Sequence, residues 1–259
     1  MIRGLYTSGW SMLANEKKMD VISNNLANVN TNGFKRDNVV LETFPEVLTY
    51  RINDNFSKTN PSGKVGKMEL GSDVGEVFTY FKQGQLVQSS NNLDIAFKGT
   101  DSAFFTVGVP DANGNVKEYY TRDGSFVLNS QKQLVTKEGY PVIGANGIIT
   151  LQGENFSVDD NGTIIENGQA VDRLVIRDFA DTSALRKYGS NLLTVEGDPQ
   201  ERDFTGTVVQ GYTEQSNVNV VSEMVNMIEV TRAYEANQKL LQAQDETLGK
   251  AVNEVGIVR

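Results

Sequence analysis

The sequence predicts an α+β chain: N- and C-terminal helices pair as a coiled-coil-like domain, and an antiparallel all-β domain is inserted between them. Two observations carry this. Both ends place apolar residues at alternating spacings of three and four, the period of an amphipathic helix. The middle shows short β-rich runs separated by Asn-Gly and Asp-Gly dipeptides, which suit tight hairpin turns. The boundaries that follow are 1–36 for the N-terminal helix, 37–70 for an extended connector, 71–213 for the β domain and 214–259 for the C-terminal helix.

The first element follows from the stripe Leu5, Ser8, Met12, Asn15, Met19, Ile22, Leu26 and Val29. It stops where Asn28, Asn30, Thr31, Asn32 and Gly33 gather, because Asn and Gly tolerate the left-handed conformation that ends helices. The connector carries Val39-Val40-Leu41 and Val47-Leu48, then a polar stretch from Asn53 to Lys67 expected to be extended and partly flexible. In the β domain, Asn-Gly stands at 113–114, 146–147, 161–162 and 167–168, and Asp-Gly at 123–124. Between them lie Leu93–Phe97, Phe104–Val107, Tyr119–Thr121 and Leu174–Ile176 as strand candidates. The last element is read from Val220, Met224, Met227, Thr231, Tyr234, Gln238, Leu241, Asp245, Leu248, Val252 and Val255. Ser216, Asn217 and Asn219 are its N-cap candidates, and Glu223 lies in the first turn, where the helix dipole favours an acid. Such a helix runs roughly 55–60 Å. Its stripe outruns the shorter N-terminal helix, so its far end is left to another partner.

Composition excludes much chemistry. The chain has no His, which removes Ser-His-Asp and Cys-His catalysis and most zinc or iron sites. It has no Cys, so thiolate chemistry and disulfides are absent. A net charge of −9 without a cluster of Lys and Arg argues against a nucleic-acid partner. Asp111–Asn115 and Asp159–Gly162 lack the ligand spacing and closing Glu of a calcium loop, and are read as turns. No apolar run approaches the roughly 20 residues of a membrane span, and no secretory signal is visible at Met1–Leu5. No cofactor, metal or small-molecule substrate is implied, and the chain is read as structural rather than catalytic. A carboxylate glycosidase using acids such as Asp123 is the best enzyme alternative, but the one Trp, Trp10, lies far off in the N-terminal helix.

Two segments then carry a resemblance. Ile22-Ser23-Asn24-Asn25-Leu26-Ala27-Asn28-Val29-Asn30-Thr31-Asn32-Gly33-Phe34-Lys35 resembles the N-terminal signature of the bacterial flagellar rod and hook family. Ser216–Val220, Glu223–Ile228 and Arg232–Asn237 resemble the C-terminal one, and Tyr120–Phe126 is similar to the family's central β domain. Thr231 departs from it, since Gln is commoner before Arg-Ala-Tyr. The length and the Met19–Ile22 lead-in are most similar to the distal rod type.

The resemblance implies a subunit exported through the flagellar export apparatus without a cleaved signal. It would stack outside the cytoplasmic membrane into a helical homopolymer and contact neighbouring rod and hook proteins. The expected assembly residues are Met12, Met19, Ile22, Asn24, Asn25, Leu26, Asn28, Gly33 and Phe34 on the N-terminal side. On the C-terminal side they are Asn217, Asn219, Met224, Met227, Tyr234, Asn237, Leu241, Leu248 and Val252. Asn24, Asn25 and Asn28 are expected to fix register against neighbouring subunits, as buried Asn does in coiled coils. The alternatives are another axial member of the family, or a non-flagellar fibre or adhesin, which would not account for helices at both ends.

Overall fold

A computed structural model describes residues 2–50, 64–110, 116–153, 156–189, 191–197 and 199–255. The chain divides into two compact units. Unit 1 holds residues 1–26, 37–78 and 220–259; unit 2 holds 27–36 and 79–219. The mixed α+β class expected from the sequence is present, with a helix at each end and a central antiparallel β region.

In unit 1, α1 spans Ile2–Ala27 and α2 spans Val220–Lys250, followed by a π-helical turn at Ala251–Val255. The α2 segment is about 46 Å long, shorter than the stripe suggested. Strands β1 (Arg36–Thr43), β2 (Val47–Tyr50), β3 (Lys64–Met68) and β4 (Ser72–Tyr80) form two ribbons, β1 with β4 and β2 with β3. Val47 faces Met68 and Leu48 faces Lys67. The stretch read as an extended connector thus carries paired strands, while most of its polar part lies outside the described residues. Phe44 and Gly71 join the two ribbons through an amide-to-carbonyl bond of 3.0 Å. The Phe44 ring meets the Trp10 ring edge-on at 5.0 Å, which ties the ribbon to α1.

All eight residues of the N-terminal stripe are buried or half-buried. On α2 the covered stripe is Glu223, Met227, Val230, Tyr234, Asn237, Leu241, Gln244 and Leu248. It keeps Met227, Tyr234, Leu241 and Leu248, but the positions between them sit one residue earlier than the apolar count suggests. Two stripes fit a 3/4 alternation equally well. The one buried here includes Asn237, whose Nδ2 donates across the helices to Ser11 Oγ at 3.0 Å. Gly4 faces Gln244, whose amide would be displaced by a methyl group at that position.

Unit 2 is built on a six-stranded antiparallel sheet in the order 185–188, 192–195, 116–121, 103–110, 176–179, 201–202. Successive residues of a strand point to opposite faces, so Phe104 and Phe105 enter two separate cores. Phe105 joins Ile95, Phe97, Val107, Phe126, Leu134 and Ile149, with its ring stacked on Phe97 at 4.1 Å. Phe104 joins Phe81, Phe179, Leu185 and Leu193.

The turn dipeptides behave unequally. Asn167 and Gly168 both take positive φ, 52° and 80°, and close the hairpin pairing Glu166 with Gln169 as type I′ chemistry demands. Asn161-Gly162 lies in the turn between the paired residues Val158 and Ile164, the 143–148 hairpin turns at Ala145-Asn146 with Gly147 already paired to Gly144, and 113–114 lies outside the described residues. Asp123-Gly124 makes no such turn. The Ile95 amide donates to the Gly124 carbonyl at 3.0 Å, and a Cβ on Gly124 would overlap the Ile95 carbonyl oxygen. Glycine is there for a close backbone approach, a demand that a dipeptide rule cannot separate from a turn.

Candidate assembly interface

Several of the Asn-rich residues expected to face neighbouring subunits are used within the chain. Asn25 is almost fully buried in unit 1. Its side-chain Nδ2 donates to the Asp37 carbonyl at 2.9 Å, and its Oδ1 accepts from the Asp37 amide at 3.0 Å. The amide thus pairs with β1 backbone as a neighbouring strand would, and fixes where β1 starts relative to α1. That is a register role, but an internal one.

The rest of the N-terminal signature docks into unit 2. Asn32 Nδ2 donates to Ser125 Oγ at 2.7 Å, and Asn191 Nδ2 donates to the Asn32 carbonyl at 2.9 Å. Gly33 has φ +70° and lies so close to the Arg122–Asp123 backbone that a Cβ would clash there. Phe34 is buried, with the Lys187 ammonium 4.0 Å from its ring centre. Lys35 is buried as well and reaches Glu214 Oε1 at 2.5 Å and the Lys82 carbonyl at 2.9 Å. Glu214 Oε2 accepts from Arg122 Nε at 2.6 Å, and Arg122 also donates to the carbonyls of Thr100 and Ala103.

Two cations therefore share one buried carboxylate, a costly arrangement unless every proton finds an acceptor. Burial lowers the Lys35 ammonium to about 8; the Glu214 carboxylate opposes that shift and Arg122 adds to it. Burial likewise pushes the Asp123 carboxyl up, against the Ser125 amide that donates to it at 2.9 Å.

From the C-terminal signature, Asn217 belongs to the same cluster: Arg36 N donates to its Oδ1 at 2.8 Å, and its Nδ2 donates to the Tyr80 and Lys82 carbonyls at 2.7 and 3.0 Å. Glu214, Arg122 and Lys187 were not singled out by the sequence reading. Their partners are remote, 92 and 179 residues apart for the two ion pairs, and no period marks them.

The remaining expected residues divide by exposure. Met12, Met19, Leu26, Met227, Tyr234, Leu241 and Leu248 are half-buried and Ile22 is buried. Asn28 is half-buried, while Asn24 and Asn219 are exposed. Met224 and Val252 are exposed, at 49% and 68%. Met224 lies with Val221, Val225 and Ile228 on an open apolar face at the start of α2. In the ribbons, Val40, Leu41, Val47, Leu48, Tyr50 and Val65 are exposed, as are Met68, Leu70, Val77 and Phe78. No helix among the described residues is long and apolar enough to cross a membrane, and no group of acids there could hold a metal ion.

Three family models match successive parts of the chain. Residues 5–35 match the flagella basal body rod protein model, and 100–166 match the D1 domain of flagellar hook protein FlgE/F/G. Residues 209–254 match the C-terminal model of flagellar basal body rod FlgEFG proteins. The flagellar basal-body rod protein FlgG of Buchnera aphidicola (subspecies Acyrthosiphon pisum) is 38% identical over 96% of this chain and 98% of its own. The chain belongs to the flagellar basal-body rod family.

The FlgG rod protein of Borreliella burgdorferi is 34% identical, over 98% of both chains. The flagellar hook-basal body complex protein FlhO of Bacillus subtilis is 32% identical, over 99% of both. The chain is thus a structural, non-enzymatic component of the flagellar basal body, most like the distal rod type. The matched stretches 5–35 and 209–254 include Asn25, Asn32, Lys35, Glu214 and Asn217, all of which bond within the chain.

Proposed function

We propose that the chain polymerises into the distal rod, which passes motor torque to the hook. Subunits leave the cell through the flagellar export apparatus without losing an N-terminal segment and stack outside the cytoplasmic membrane. There, α1 and α2 pair in coiled-coil fashion, with neighbouring rod and hook proteins at the ends of the stack. The observation that carries this reading is the apolar face of Val221, Met224, Val225 and Ile228 on α2, left open although both helices already cover their inner stripes. A heterologous contact of one subunit's open face with a different surface of the next builds a helical polymer.

The absence of Cys makes a direct test simple. Met224→Cys is the only thiol in that chain, and basal bodies from cells carrying it should give subunit-to-subunit cross-links with a short heterobifunctional reagent. A thiol that reacts freely in assembled basal bodies but never cross-links would overturn the proposed contact. Mass analysis of rod-derived protein tests the export reading, which requires the intact N-terminus.

A further inference from the structure

The Asn-Gly dipeptides that punctuate the chain also carry a reactive pair of groups. The Asn side chain presents an amide carbon, and the next backbone nitrogen can attack it. Glycine leaves that nitrogen unhindered, because it has no Cβ. Four such pairs lie wholly among the described residues, at 32–33, 146–147, 161–162 and 167–168. Attack needs the Gly nitrogen and the Asn amide free, so the fold decides which pair can react.

Three of the four are held. Asn32 Nδ2 donates to Ser125 Oγ at 2.7 Å, and the buried Gly33 amide donates to the Glu214 carbonyl, also at 2.7 Å. Asn146 donates to Asp172 Oδ1 through its backbone nitrogen and its Nδ2, each at 3.2 Å, and Gly147 is paired with Gly144. The Gly162 amide donates to the Asp159 carbonyl at 2.8 Å, and the Gly162 carbonyl accepts from the Leu174 amide at 2.8 Å. Asn167-Gly168 differs. Both residues are exposed at the tip of the hairpin that pairs Glu166 with Gln169. Among the described residues, nothing bonds to the Gly168 amide or to the Asn167 side chain. Nothing lies within 4 Å of where a Gly168 Cβ would stand, and loop tips of this kind open most readily.

We propose that Asn167 is the one of these four that deamidates in the folded protein. The Gly168 nitrogen bonds to Asn167 Cγ, the Cγ–Nδ2 bond breaks, and ammonia leaves with the proton of the attacking nitrogen, closing a succinimide ring. Water then opens the ring at either carbonyl, giving aspartate or isoaspartate. Both products add one negative charge to the chain's −9. Isoaspartate also lengthens the backbone of a two-residue turn beside the buried Glu166, whose carboxylate accepts from the Gln152 and Gly153 amides at 3.1 and 3.0 Å. The modification therefore acts on a contact of the hairpin, not on a bare loop.

Ageing the isolated full-length chain at mildly alkaline pH tests this, with peptide mass spectrometry reading the one-dalton gain at each Asn. In the folded chain, Asn167 should convert about five-fold or more faster than Asn32, Asn146 and Asn161, the scale set by one net hydrogen bond. In concentrated urea the four rates should draw together, because the bonds that separate them are gone. Conversion of Asn32, Asn146 or Asn161 at the pace of Asn167 in the folded chain would overturn the proposal. So would an Asn167 that converts only in urea, since the turn itself would then protect it, and so would a lead that persists undiminished in urea, which would trace to neighbouring sequence and not to the fold.

Discussion

Phe105 and Val77 are both apolar residues in β-strands, yet Phe105 is 1% exposed and Val77 is 49% exposed. The first belongs to a six-stranded sheet with a core on each face. The second belongs to a two-stranded ribbon, too small a sheet to build a core of its own. Unit 2 gathers large apolar residues into two buried cores, whereas the β1–β4 ribbon of unit 1 leaves Val40, Leu41, Val77 and Phe78 exposed.

The largest effect expected from this contrast is in the isolated protein. Phe105→Ala removes a ring stacked on Phe97 and edge-on to Phe126, and should destabilise unit 2 by about 3–5 kcal/mol. Val77→Ala should stay within about 0.5 kcal/mol. Denaturant titration of both variants checks the pair, and a cost at Val77 near that at Phe105 would erase the distinction between the units.

A smaller effect belongs to Asn25. The sequence reading expects an outward contact, so Asn25→Leu should leave the monomer intact. The pairing of its amide with Asp37 reverses that expectation. Leucine would leave the Asp37 amide and carbonyl without their present partner, at a cost of about 1–3 kcal/mol to the isolated chain. Thermal unfolding of the variant decides between the two, and an unchanged midpoint restores the outward role.

The pH dependence is gentler still and concerns unit 2 alone. Lys35 falls to about 8 in the folded chain, against 10.5 when unperturbed. Between those values the folded protein has given up the Lys35 proton and the unfolded chain still holds it. The unfolded state therefore binds more protons, and stability rises with pH across this window. The slope from one group is at most about 1.4 kcal/mol per pH unit. Measured as wild type minus Lys35→Met between pH 8 and 10, the difference should move in favour of wild type. A difference that falls over the same range would mean that the ammonium is stabilised rather than strained in its site.

Much of this was legible in the sequence, and what was not has definite physical causes. Helix periods, strand runs and the Asn167-Gly168 turn are local signals, decided within a few residues, and the chain follows them. Asp123-Gly124 looks like the same turn signal, but its glycine answers to Ile95, a strand away. The α2 stripe was read one residue off at alternate positions because counting apolar residues favours Met224 over Glu223 and cannot weigh Asn237, whose partner is Ser11 on the other helix. Lys35, Arg122 and Glu214 are invisible to any period, since each is defined by charges that only the folded backbone brings within 3 Å.

The smallest effect on stability is expected at the open face of α2, and it separates folding from assembly most cleanly. Met224→Ser changes a half-exposed side chain that lies off the covered stripe of Glu223, Met227 and Val230. Surface substitutions of this kind typically stay within about 0.5 kcal/mol, so the isolated chain should unfold as wild type does. Assembly draws on the same face differently. Fully burying one Met side chain is worth about 1.5–3 kcal/mol, and in a polymer that loss recurs at every subunit contact. Cells whose only copy carries Met224→Ser should therefore swim poorly while making normal amounts of stable, soluble subunit. Met224→Leu, which keeps the apolar volume, should restore swimming. If the serine variant swims as well as wild type, the face does not carry the contact, and the exposed residues of the β1–β4 ribbon become the surface to test next.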